Sequence, residues 1–326
     1  PPPTQLKQLY RMGQTFSYWI RRDEDIIFGD ILTAMIIPLI MPFEASMTSK
    51  EGLEQFRAAI QKLSNADGLY GRQVSKNWNV EHIVEEAEVY IHTPLKSKEP
   101  LDLIIIYAHG GGFVAGDAQC GTGLDYFNEL LKRGISFRWV SVEYRLAPEH
   151  PYPAGLQDVL AATRMMLLRF PQSRFALAGV SAGACLALEA ALDLNAQESQ
   201  RIHSLALFFP FLEPACSTPF KKHGYRWNFG KWLQWCWKGY YNDTIRTKGV
   251  LNRPLEQFAA LPPTLIATSK ADPLRDDGTL LFAKLKKNNA THIEGYGSHA
   301  CMPAVDRVNS ALMFEAWASQ LLIVKS

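Results

Sequence analysis

Four short motifs in the chain hold residues whose types and order suit acyl transfer. Gly179-Val180-Ser181-Ala182-Gly183 reads G-x-S-x-G, the pattern of a serine held on a tight turn between a strand and a helix. His109-Gly110-Gly111-Gly112 sets three glycines in a row after an apolar run. Such a run costs unfolded-chain entropy and suits a backbone that must bring N–H groups close to an anion. Asp272, in Ala271-Asp272-Pro273, and His299, in Gly297-Ser298-His299, complete the order serine, acid, base.

The chemistry these residues would perform is nucleophilic attack on a carbonyl. His299 would take the Ser181 proton, and Asp272 would orient the imidazole. The N–H groups of Gly111, Gly112 and Ala182 would hold the oxyanion. The neighbouring alternatives are weaker. Asp276 and Asp277 read as caps of a helix beginning at Thr279. His292 falls at the start of the last strand, at the wrong end, and His150 lies on a long connection. His82, His92, His203 and His223 have no matching context. No H-E-x-x-H cluster, phosphate loop or helix-opening G-x-G-x-x-G occurs, so neither a metal nor a cofactor is expected.

The elements that must position these residues follow from hydrophobic periodicity. Leu101–Ala108 is an apolar, β-branched run, expected as a central strand buried on both faces. Further strands are expected at Phe137–Val142, Phe175–Ala178, Leu205–Phe209, Thr264–Thr268 and His292–Gly295. The alternation of Ala87, Val89 and Ile91 predicts an exposed or edge strand. Helical patterns cover Leu124–Lys132, Ala154–Arg169, Ala184–Leu194, Thr279–Lys287 and Val305–Leu322. Strands alternating with helices predict an α/β fold, a mostly parallel sheet flanked by helices. Thr4–Trp19 and Ser49–Ser64 have helical spacing and precede the sheet. Between Phe211 and Gln257 no strand is expected. That stretch holds Trp227, Trp232, Trp235 and Trp237, four of the chain's eight tryptophans, and reads as a lid or as plain aromatic packing.

Composition narrows the class. The chain has 326 residues, 47% of them hydrophobic and 20% charged, with a formal net charge of +2. The densest basic run, Lys284, Lys286 and Lys287, reads as a solvated helix face, so no nucleic-acid partner is expected. The cysteines, Cys120, Cys185, Cys216, Cys236 and Cys301, are odd in number and form no C-x-x-C pair. Their simplest reading is free thiols in a reducing compartment, with a pairing of two of them left open, and a cytoplasmic location is expected. The chain opens at Pro1 without an initiating Met, as a fragment or a processed form would. The apolar stretch Ile26–Phe43 is broken by Asp30, Pro38 and Pro42. Its uncharged part is shorter than the roughly 20 residues of a membrane span. No transmembrane segment is expected there. A cover over a substrate pocket is the leading reading, with core packing or weak membrane-surface contact as alternatives. Ile36 in that stretch, together with Phe113, Val180 and Trp232, is a candidate pocket residue.

At these motifs the chain resembles the hormonesensitive-lipase-like family of α/β-hydrolases, also called the bacterial type IV esterases or lipases. The matching pieces are HGGGF (109–113), VEYRLAPEHPYPAG (142–155), GVSAG (179–183), LPPTLIATSKADPLRDDG (261–278) and the terminal His299. The resemblance implies an α/β-hydrolase fold with a helical cap, no cofactor, and hydrolysis of short- to medium-chain carboxylic esters. It implies His109 as a support of the glycine loop rather than a base, and it leaves a homodimer open. The organisation it implies is an N-terminal helical region over 1–70, contributing to the cap from about 1–50. Core follows over 71–210, an aromatic-rich cap insert over 211–257, and core again over 258–326. The chain departs from the family at Val180, where an Asp is usual, at Ala184, where a Gly is usual, and at Ala300-Cys301, where Gly-Phe is usual. These departures bear on substrate choice. A lipase for longer acyl chains, an amidase or deformylase using the same residues, and a non-catalytic binding protein are the alternatives.

Overall fold

The computed structural model describes residues 49–64, 74, 76–96, 101–119, 122–218, 229–242, 249–285, 290–297, 299 and 306–322. The expected helix Thr4–Trp19 and the apolar stretch containing Ile36 lie outside the described residues.

Eight strands form one sheet in the order β1-β2-β4-β3-β5-β6-β7-β8. They are β1 (Trp78–Val84), β2 (Glu88–Pro94), β3 (Leu103–Ala108), β4 (Arg138–Val142), β5 (Arg174–Val180), β6 (Ile202–Phe208), β7 (Thr264–Ser269) and β8 (Ala290–Gly295). From β4 to β8 every neighbouring pair is parallel, while β1–β2 and β2–β4 are antiparallel. The seven helices that cover the sheet or flank the site are α1 (Lys50–Ser64), α2 (Thr122–Lys132), α3 (Ala154–Arg169), α4 (Ala182–Asp193), α5 (Phe229–Tyr241), α6 (Arg275–Leu285) and α7 (Arg307–Leu322).

Side chains alternate between the two faces along each strand, and both faces are covered. Ile104, Ile106, Val140, Leu177, Leu205 and Ile266 pack on the side holding α1, α3, α4, α5 and α6. Ile105, Tyr107, Trp139, Ala178 and Phe208 pack on the side holding α2 and α7. That two-sided burial is why Leu103–Ala108 reads as an unbroken apolar run, with every residue of β3 buried. Each fully buried Ile or Leu contributes about 1.5–3 kcal/mol of apolar transfer.

Two expectations need correction. The alternating Ala87–Ile91 stretch is not the sheet edge. Glu85–Ala87 is a turn, β2 runs inside, and the edge is β1, a strand not expected from the sequence. Trp78–Val84 carries Asn79, Glu81 and His82 among its apolar residues and buries only two of its seven side chains. A polar, largely solvated edge leaves little hydrophobic signal. Asp276 and Asp277 do not cap a helix at Thr279, since α6 already begins at Arg275. Asp277 is fully buried, and its carboxylate accepts from the N–H groups of Leu212 (2.7 Å) and Glu213 (3.0 Å), bracing the chain as it leaves β6. Between Phe211 and Gln257 the described residues form α5 and short 3-10 turns, with no strand.

Candidate active site

The motif residues converge at the carboxyl ends of the parallel strands. His109 follows β3, Ser181 follows β5, Asp272 follows β7 and His299 follows β8. The turn at Ser181 is strained as the motif requires, with φ 56° and ψ −119°. A side chain at Gly183 would meet the Ala108 carbonyl at 2.1 Å, so only glycine lets α4 start this close to β3. The turn is stitched to the chain around β6. The Ser181 N–H donates to the Phe208 carbonyl (2.8 Å), and the Phe211 N–H donates to the Ser181 carbonyl (3.1 Å).

Ser181, His299 and Asp272 form a continuous hydrogen-bonded line. The Asp272 carboxylate accepts from Nδ1 of His299 at 2.8 Å. That bond selects the tautomer whose free Nε2 can accept from the Ser181 hydroxyl, 3.0 Å away. Asp272 is fully buried, and its second oxygen accepts from the Leu274 N–H at 2.8 Å. The loops carrying the acid and the base are tied together. The N–H groups of Lys270 and Ala271 donate to the carbonyls of Gly295 (2.8 Å) and Gly297 (3.2 Å). His292 sits lower on β8, paired with the Thr268 hydroxyl at 2.8 Å, away from this line.

The glycine loop touches the serine turn. A side chain at Gly110 would lie 3.3 Å from Cβ of Ser181 and 3.2 Å from the Val180 carbonyl. Gly111, Gly112 and Phe113 all have positive φ, at 126°, 65° and 68°. The Gly111 carbonyl accepts from the N–H groups of Val114 (3.2 Å) and Ala115 (3.0 Å), which curls the loop. Ala182 opens α4, so its N–H has no partner within the helix. His109 is fully buried and braces the loop. Its Nδ1 donates to the Gly110 carbonyl at 2.7 Å, its ring stacks on Tyr144 at 4.1 Å, and the Tyr144 hydroxyl donates to its carbonyl at 2.8 Å. Burial pulls its imidazole down to about 4, so it stands neutral near pH 7.

The expected pocket residues take different places. Val180 is buried beside Gly110, with its side chain on the α2/α7 side of the sheet. Phe113 lies under α5, stacked on Tyr240 at 4.0 Å and close to Trp237 at 4.8 Å. Trp232 and Cys236 of α5 stand over Gly112. A side chain there would meet Cys236 Sγ at 2.6 Å and the Trp232 ring at 3.1 Å. Phe56 of α1 meets Trp232 edge-on at 5.9 Å. Cys185, Cys216 and Cys236 are buried and stand outside any disulfide.

Some site contacts were not read from the sequence. Arg57 of α1 donates to the carbonyls of Val114 (2.7 Å) and Ala147 (3.0 Å) and pairs with Glu149 at 2.7 Å. It ties the N-terminal helix to the glycine loop. Glu143 accepts from the Ala118 N–H at 2.8 Å and anchors the far end of that loop. Burial, opposed by that bond and reinforced by Asp117 and Glu88, pushes its carboxyl up to about 7. The positions of Glu143 and Glu149 in the VEYRLAPEH run were available signals, whereas Arg57 carried none.

Comparison with known proteins agrees with this architecture. A family model described as alpha/beta hydrolase fold matches residues 105–298. Carboxylesterase NlhH of Mycobacterium tuberculosis is 29% identical over 287 residues, covering 80% of this chain and 88% of that protein. Esterase LipI of the same species is 33% identical over 189 residues, covering 54% and 57%. Among solved structures, an esterase/lipase from an uncultured bacterium superposes with a TM-score of 0.73 at 23% identity, over 93% of this chain and all (100%) of that one. An esterase of the bacterial hormone-sensitive lipase family superposes with a TM-score of 0.70 at 19% identity, over 93% and 100%. Among the described residues no helix is long and apolar enough to cross a membrane. The chain belongs to the alpha/beta-hydrolase family, is related to curated esterases, and shares the fold of an esterase of the bacterial hormone-sensitive lipase family.

Proposed function

We propose that the protein hydrolyses short- to medium-chain carboxylic esters, with Ser181 as nucleophile, His299 as general base and Asp272 as its orienting acid. The observation that carries this reading is the unbroken line Asp272–His299–Ser181, with contacts of 2.8 and 3.0 Å. His299 Nε2 takes the serine proton as Oγ attacks the carbonyl carbon. The N–H groups of Gly111, Gly112 and Ala182 stabilise the oxyanion, in a loop held by neutral His109. The imidazolium then gives its proton to the leaving alkoxide, and water repeats the sequence on the acyl-enzyme. Asp272 stabilises the imidazolium without itself taking the proton.

The chain-length preference rests on the cap side. We read 211–257, with the N-terminal region, as the cap. Its helix α5 brings Trp232 and Cys236 against Gly112, with Phe56 behind Trp232. Large rings packed this close leave little room for a long acyl chain on that side of the oxyanion loop. A nitrophenyl-ester series run beside matched anilides tests the reading. Highest kcat/KM is expected at or below about eight carbons, with anilides turned over far more slowly. A maximum at longer chains would make the protein a lipase, and equal turnover of anilides would make it an amidase.

A further inference from the structure

Glu189 is sealed into the junction between the helix that follows Ser181 and the cap helix. It lies on α4 and is 1% exposed. The guanidinium of Arg253 stands 4.0 Å from one of its oxygens and is hydrogen-bonded to Asp193 through both terminal nitrogens. The other oxygen, Oε2, has no hydrogen-bond partner among the described residues, and neither has the Tyr240 hydroxyl. That hydroxyl is close enough to favour the ionised carboxylate without closing a full hydrogen bond. A buried carboxyl left this way is a costly arrangement.

Tyr240 connects this carboxyl to the reaction centre. Its ring lies flat on Phe113, with centroids 4.0 Å apart and planes 11° apart. Phe113 directly follows the loop glycines. One turn earlier on α5, Cys236 lies against Gly112. We propose that Glu189 is a positioning residue which, through Tyr240 and Phe113, sets how the cap helix bears on Gly111 and Gly112 and so aligns the oxyanion N–H groups. The proposal rests on the reading of Ser181 and the glycine loop given above.

The charged and titratable groups facing Glu189 are Arg253 and Asp193, Tyr240 and Tyr241 from α5, and Tyr152 from the entry to α3, with Cys185 one turn earlier on α4 acting on the same two α5 tyrosines. Burial, opposed by Arg253 and Tyr240, pushes the Glu189 carboxyl up to about 7. Its charge therefore changes within the ordinary assay range. Ionisation draws the Tyr240 O–H in as a donor, and protonation releases it.

The test measures kcat and KM for a short nitrophenyl ester from about pH 5.5 to about pH 9. It compares wild type, Glu189→Gln and Tyr240→Phe, with Ser181→Ala alongside. The ratio of wild-type to Glu189→Gln kcat cancels ionisations common to both proteins. That ratio is expected near one at the acid end and to rise about 3- to 10-fold through neutral pH, with KM held within about two-fold. Tyr240→Phe keeps the ring stack and loses the hydroxyl, so it is expected to reproduce the Glu189→Gln profile. A ratio flat with pH, or a change confined to KM or to thermal stability, would overturn the proposal and leave Ser181 standing. Wild-type turnover in Ser181→Ala would overturn the reading beneath it.

Discussion

Asp272 and Glu189 are both closed off from solvent, at 0% and 1% exposure, yet their surroundings are opposite. Each oxygen of Asp272 accepts a hydrogen bond, one from His299 and one from the Leu274 main chain. Glu189 has an arginine at 4.0 Å and one oxygen with no hydrogen-bond partner among the described residues. The first sits where parallel strands end and main-chain N–H groups converge. The second sits where an aromatic helix crosses the core. A reaction centre has to hold its geometry before substrate arrives, and a strand-end site provides that through backbone bonds. A cap junction built from stacked rings fixes distance through packing and tolerates an underpaired charge. The strand ends would thus supply the chemistry, and the cap junction would adjust it.

This contrast can be broken first at the strand ends. Ser181→Ala is expected to lower kcat by at least about 10⁴-fold with the fold retained, read by ester hydrolysis beside circular dichroism. Asp272→Asn, which disturbs the His299 tautomer, is expected to cost about 10³- to 10⁴-fold in kcat. Activity near wild type in either would erase the distinction. At the boundary between the regions, Gly112→Ala would strain a φ of 65° and press on Cys236. A loss of about 10²- to 10³-fold in kcat is expected.

On the cap side the expected effects are smaller and change character. Trp232→Ala is expected to shift preference toward longer esters by about ten-fold in relative kcat/KM, measured across an acyl series. An unchanged series would mean that this ring does not limit the acyl side. Glu189→Gln should also alter stability in a pH-dependent way. The folded carboxyl titrates near 7, above its ordinary value of 4.5. The folded state therefore holds the proton longer, and wild-type stability falls as pH rises from about 4.5 to about 7. Glutamine removes that loss, so denaturant melts should favour the variant increasingly toward pH 8, by up to about 3 kcal/mol. The wild-type residue would then be trading stability for a charge that acts on Tyr240.

Much of the strand-end region was legible because its signals are local. Strands β3 to β7 announce themselves as short apolar runs, while β8 carries only Ala290 and Ile293 among polar residues. The serine turn is five consecutive residues, and the order Ser181, Asp272, His299 follows the order of the strands. What escaped reading depends on partners far away in the chain. Asp277 looked like a helix cap, because nothing local reveals that Leu212 and Glu213 bring it their N–H groups. Arg57 reaches Val114 and Glu149 across long separations, and its own helix gives no hint of that. Glu189 sits among the alanines and leucines of α4, where a single carboxyl reads as an exposed helix position. Strand β1 was missed for a different reason, since an edge strand can stay polar and still pair.

The central claim is that Ser181 is the nucleophile, and covalent labelling tests it most directly. Wild-type protein treated with a fluorophosphonate, then analysed by intact mass and peptide mapping, should carry one adduct per chain at Ser181, and Ser181→Ala should carry none. An unlabelled wild type, or an adduct on any other residue with Ser181 unmodified, would contradict the account.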